Sequence, residues 1–176
     1  MKTTKFLTLV ILALMAFTVS AQAQKRRTTK KTTTPKTTTA TTAAAAAEIR
    51  AGAEKVSIQL NNVAKFNYFL GRIATGLEDM DAAARKTPLK EPTLGKHRAN
   101  KQAVGQGIRN LRAGLAALEV EFRTKPGLKR FEFQISGIAD LVGQSEELAA
   151  GGQFTEGGRV LLQVIQKLSD TLVAMP

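Results

Sequence analysis

The chain has 176 residues, a formal net charge of +12, no cysteine, one histidine, no tryptophan and one tyrosine. Without cysteine there can be no disulfide, no cysteine-ligated zinc and no thiol nucleophile. A single histidine leaves little room for a multi-histidine metal centre or for acid–base machinery built on imidazole.

The first segment carries Lys2 and Lys5, then an uncharged apolar run from Phe6 to Val19, then Ala21-Gln22-Ala23. A positive start, a short apolar middle and small residues around a polar one are the parts of a secretory signal peptide. The apolar run has 14 residues, whereas a spanning helix needs roughly 20. The reading is therefore a signal peptide over 1–23, cleaved after Ala23 or, alternatively, after Ala21. The expected location is periplasmic or secreted, with no transmembrane span in the mature chain.

Residues 24–42 hold Lys25, Arg26, Arg27, Lys30, Lys31 and Lys36 among threonines, with no acid and no large apolar side chain. Such a segment has nothing to bury against the entropy of ordering it. It is expected to be a disordered basic tether: a spacer, a glycosylated stalk or a holder of polyanions. Ala43 to Ala47 are strong helix formers, with Thr41 or Thr42 as cap, so the folded domain is expected over 43–176.

Four helical patterns follow. Ile49, Val56, Leu60, Val63, Leu70, Ile73, Leu77 and Met80 are spaced by three, four and seven, on one helix face. Val104, Ile108, Leu111, Leu115, Leu118 and Phe122 alternate steps of four and three. Leu128, Phe131, Ile135, Ile138 and Val142 make a third pattern, and Phe154, Leu161, Ile165, Leu168, Leu172 and Met175 a fourth. Pro88, Pro92 and Gly95, then Lys125-Pro126-Gly127, then Gly151-Gly152 separate them. The fold predicted is all-α: a four-helix up-down-up-down bundle behind a disordered tether. Its first helix, from about Ala43 to Ala84, is too long for the others and must overhang with a mild bend or kink near Gly71 or Gly76. Gly152-Gln153-Phe154-Thr155-Glu156-Gly157 resembles the turn of a tetratricopeptide-type hairpin. The likeness covers the last helical pair alone, no repeat of that period occurs elsewhere, and Gly157 stands where alanine is usual.

Charge is uneven. Residues 48–84 carry four Lys/Arg and five Asp/Glu, residues 85–130 twelve and three, residues 131–176 two and six. On a helical wheel Arg98, Lys101, Arg109, Arg112 and Arg123 fall within about 80°, beside the apolar stripe. This ridge either packs along acids such as Glu132, Glu146 and Glu147, or joins the tether in binding a polyanion. The partners considered are anionic polysaccharide, an anionic membrane surface or a protein. Specific nucleic-acid recognition is disfavoured, because the ridge lacks aromatic residues for base stacking.

The remaining chemistry is thin. His97 lies between Lys96 and Arg98, which would repel a metal, and is expected at the surface. A haem ligated by His97 and a methionine such as Met80 is geometrically conceivable. Glu78, Asp79 and Asp81 form an acidic cluster near the end of the first helix, expected to pair with Arg85 and Lys86 or, less simply, to hold calcium. Ser57, Ser136, Ser145 and Ser169 lie inside predicted helices, with no exposed nucleophile turn. Gly105 and Gly107 lack the strand a phosphate loop needs and, with Gly114, are read as helix-packing glycines. Asn67 falls near the apolar side of its helix, to fix register or line a small pocket. The function expected is an exported, noncatalytic helical module, envelope-associated, needing no cofactor. It would bind a polyanion or protein through tether and ridge. The alternative is a small-ligand- or haem-binding periplasmic bundle.

Overall fold

A computed structural model describes residues 37–176, with side chains from Thr42 onward. The expected signal peptide, the cations Lys25, Arg26, Arg27, Lys30, Lys31 and Lys36, and the tether up to residue 36 lie outside the described residues. The described chain is an all-α bundle of four helices: α1 (Thr37–Lys86), α2 (Thr93–Thr124), α3 (Ile138–Ala150) and α4 (Phe154–Ala174). No described helix is long and apolar enough to cross a membrane.

Helix α1 begins at Thr37, ahead of the expected Ala43, so the second half of the threonine-rich segment is already helical. No proline interrupts the chain between Pro35 and Pro88, and α1 runs unbroken for 50 residues, about 75 Å at 1.5 Å per residue. It does not break at Gly71 or Gly76. Its first buried side chain is Ile49. Near that end Glu48 accepts a hydrogen bond from the Gly127 backbone N–H at 2.8 Å, and the exposed residues Ala43 and Ala44 extend beyond this corner.

The expected third helix is broken. Lys129–Phe131 is a 3-10 turn, Glu132–Ile135 a single α-turn, and α3 starts only at Ile138. The break falls at Gly137, whose φ of +83° is left-handed, a conformation that costs a residue with a Cβ but not glycine. The apolar spacing continues across the break because Leu128, Phe131, Ile135, Ile138 and Val142 are all buried. Periodicity reports which side chains face the core, and a one-residue reversal can leave that unchanged.

Each helix packs on its neighbours in sequence, and α4 closes back onto α1. In α1 the buried set is Ile49, Val56, Val63, Leu70, Ala74 and Leu77, while Ile73 is exposed, against expectation. The α2 set (Val104, Ile108, Leu111, Leu115, Leu118, Phe122) is buried as its spacing requires. Phe154, Leu161, Val164 and Leu168 complete the core from α4. Of the packing glycines, Gly107 lies against the Phe66 ring and Gly114 against Gln59, which lets α2 approach α1. Gly105 meets only Arg109 of its own helix.

The helix starts are held from outside. Neither α3 nor α4 has a side-chain cap of its own. Instead Glu119 of α2 accepts from the Ala139 N–H at 3.1 Å, and Glu78 of α1 accepts from the Thr155 N–H at 2.7 Å and its hydroxyl at 2.9 Å. A carboxylate at a helix N-terminus meets unpaired donors and the positive end of the dipole. Two buried hydroxyls are also satisfied: Ser145 donates to the Gly157 carbonyl at 2.9 Å and Thr171 to that of Lys167 at 2.8 Å. A Cβ on Gly157 would sit 3.2 Å from the Ser145 carbonyl oxygen, which accounts for glycine at this position of the tetratricopeptide-like turn.

Two glycine substitutions should move stability in opposite directions. Gly76 sits in an exposed helix interior with open space around it, so Gly76→Ala should stabilise by about 0.5–1 kcal/mol. Gly107→Ala forces its new methyl into the Phe66 ring and should destabilise by about 1–3 kcal/mol. Urea unfolding followed by circular dichroism measures both.

Candidate functional site

The polar residues of the chain concentrate where the end of α1, the start of α2 and the α3–α4 turn meet. Asp81 of α1 is the centre. His97 Nε2 lies 2.7 Å from Asp81 Oδ1, and Lys101 donates to Oδ1 and Oδ2 at 3.1 and 2.8 Å. The Lys101 ammonium also stands 5.8 Å from the Phe154 ring centroid, a cation–π distance. Partial burial raises the Asp81 carboxyl, but hydrogen bonds and charge from Lys101 and His97 outweigh it and hold the group below its ordinary value.

His97 is not at the surface as expected: it is 5% exposed. The ionised Asp81 only accepts, so Nε2 must carry the proton of their bond. The other nitrogen, Nδ1, is buried with no hydrogen-bond partner. The carboxylate that draws His97 inward is sixteen positions earlier, on another helix, and neighbouring charge in sequence gave no sign of it. A haem at His97 would have to take Nε2 from Asp81 or reach the buried Nδ1.

Two acids of the cluster take structural roles, neither of them the expected pairing with Arg85 and Lys86, and Asp79 is exposed and makes no ion pair. Asp81 holds α2 and Glu78 caps α4. Among the described residues, no three His, Cys, Asp or Glu come together as a metal site. Asn67 is half-buried and lines a shallow groove of about 190 Å³ between α1 and α4, with Leu70, Phe154 and Leu162. Small-molecule sites are usually larger, roughly 300 Å³ and above.

The basic ridge is largely answered by acids. Lys101 pairs with Asp81. Arg109 and Arg112 converge on Glu146 at 3.7 and 3.3 Å, and Arg123 reaches Glu132 at 3.4 Å. Glu146 and Glu132 are two of the acids expected to meet the ridge; Glu147 makes no such pair. Arg98 has no ion pair. The three arginines in pairs stay at least half exposed, and such pairs contribute only about 0–1 kcal/mol each. At the other end of the α1–α2 contact, Glu121 receives Lys55 at 2.6 Å and also Lys125. Burial pushes the Glu121 carboxyl up, and the hydrogen bonds and charges of Lys125 and Lys55 overcome it, leaving it lowered.

Of a second group of cations the helical wheel singled out only Arg98. Arg85 and Lys86 end α1, Lys90 lies in the connection, and Lys96 and Arg98 begin α2. All are exposed and none has an ion pair. Between Asp81 and Glu119 the only acid is Glu91, which accepts from the Gly95 N–H at 3.3 Å. The signal was present in the charge count of residues 85–130. A wheel drawn on one helix misses a patch assembled from two helix ends and a loop.

In comparisons with known proteins the chain matches no protein family, no curated protein sequence and no solved structure.

A carboxylate whose folded pKa lies below its unfolded value stabilises the fold above the unfolded pKa, and loses that contribution as pH falls through the folded one. Asp81 and Glu121 both have this sign, so stability should hold near neutrality and drop below about pH 4. Asp81→Asn should cost about 1–3 kcal/mol near pH 7 and flatten the acid decline. Urea midpoints measured from pH 7 to pH 3 for both proteins decide this.

Proposed function

We propose that the chain is an exported, noncatalytic helical module held at anionic material of the cell envelope. The observation that carries this reading is the unanswered positive corner of Arg85, Lys86, Lys90, Lys96 and Arg98. Five exposed cations without acidic partners in one region of the fold repel one another, so this arrangement is explained better by an external anion than by stability. The half-exposed arginines of the ridge extend the same surface, and the six cations of residues 25–36 add to the charge. Export is supported by the signal-peptide pattern of residues 1–23. The absence of a catalytic role is supported by the use of Glu78, Asp81 and His97 as ties between helices.

The test is binding of the chain from Gln24, with and without residues 24–42, to heparin, anionic vesicles and DNA over a salt series. Affinity should fall steeply with salt. Replacing Lys90, Lys96 and Arg98 together by glutamine should weaken binding and flatten the salt slope by about one per lost contact. Binding that is absent in all forms, or indifferent to both the tail and the corner, would overturn the reading.

A further inference from the structure

The outward side of α1 carries residues that neither the core nor the positive corner accounts for. Ile58, Tyr68, Phe69 and Ile73 are 47, 63, 57 and 43% exposed. At 100° per residue Ile58, Tyr68 and Phe69 share, with Lys65 and Arg72, the half of α1 turned away from its buried stripe, and Ile73 borders that half. From Ile58 to Ile73 they span about 22 Å of helix. No acid occurs between Glu54 and Glu78. Tyr68 and Phe69 meet edge to face with centroids 5.7 Å apart, and the Arg72 guanidinium lies 5.9 Å from the centre of the Tyr68 ring. A solvent-facing helix surface is ordinarily polar, and grouped exposed apolar side chains mark a contact surface.

We propose that this face docks the bundle side-on against an anionic lipid surface. Tyr68, Phe69, Ile58 and Ile73 would enter the headgroup boundary, and Lys65 and Arg72 would meet lipid phosphates. Aromatic and aliphatic side chains bordered by Lys and Arg are the composition of an interfacial helix, and the absence of acids matches a negative leaflet. A second copy fits less well, since a two-fold contact through this face would bring its cations toward the same cations of the mate. Stacked nucleic-acid bases also fit less well, because they need free ring faces, and Tyr68 is already engaged by Arg72 and Phe69. This deepens the polyanion reading by naming lipid phosphate as the anion, and it rests on a surface other than the tail and the corner, so the two can fail separately.

The experiment uses the chain from Gln24, which contains every buried core side chain, from Ile49 to Met175. The protein has no tryptophan, so Phe69→Trp installs a lone tryptophan on the face, excited at wavelengths where Tyr68 does not absorb. Phe133→Trp, at a position 88% exposed outside α1, is the control. With phosphatidylglycerol–phosphatidylcholine vesicles, the emission of Phe69→Trp should shift to shorter wavelength and that of Phe133→Trp should not. Pure phosphatidylcholine should give little shift. The double variant Tyr68→Ser, Phe69→Ser should bind these vesicles about tenfold more weakly or worse, with helicity and heparin affinity retained. Equal shifts at both reporters, or unchanged vesicle affinity in the folded double variant, would overturn the proposal. Loss of heparin or single-stranded DNA binding in the double variant, with vesicle binding intact, would overturn it in favour of a soluble polyanion. If the parent ignores vesicles but holds heparin, the lipid face fails and the polyanion reading stands; if it holds neither, both fail.

Discussion

Everything in this bundle depends on one stripe of α1. Ile49, Val56, Val63, Leu70 and Leu77 are buried and recur every seven residues. A seven-residue repeat on a helix of 3.6 residues per turn drifts by about 20° per heptad. The stripe therefore turns slowly as it climbs, and α1 meets different partners along its length. Near Gly52 it faces Leu128 and Met175; near Leu77 it meets the starts of α2 and α4 through Asp81 and Glu78. A helix of 50 residues that buries a single stripe leaves the rest of its circumference outside. That surplus surface is where Tyr68 and Phe69 stand.

Carboxylates then fix how the helices are joined. Glu48 reaches the turn at Gly127, Glu78 the start of α4, Glu119 the start of α3 and Asp81 the start of α2. Glu48, Glu78 and Glu119 meet backbone donors that a helix end or turn would otherwise leave to solvent, and Asp81 meets the side chains of His97 and Lys101. The hydrophobic stripe supplies most of the driving force but is non-directional. These bonds are directional, and they give the helix ends a preferred register. Such use of its acids leaves the chain short of negative charge elsewhere, and the α1–α2 corner shows the consequence.

The two surfaces considered for binding differ in kind. The corner is charge alone, suited to any dense anion and sensitive to salt. The α1 face combines apolar side chains with two cations, which suits a boundary between oil and water. A module with both could be drawn to an anionic layer by the first and seated on it by the second.

Sequence by itself determined the helical class, the limits of α2 and α4 to within a few residues, and nearly all of the core, because a side chain's place on a helix follows from its position in the repeat. It also contained the charge imbalance between the middle and the end of the chain, and two of the acids that answer the ridge. Only the tertiary structure decided that α1 starts at Thr37, that the third pattern breaks at Gly137, that His97 is buried and that Ile73 is not. Two of these have a cause that periodicity does not encode: Asp81 for His97, a left-handed φ for Gly137. The cations of the positive corner lie within residues 85–98, so their nearness was legible in the charge count. What the packed chain adds is that no described acid is brought to them, because the nearby carboxylates are engaged elsewhere.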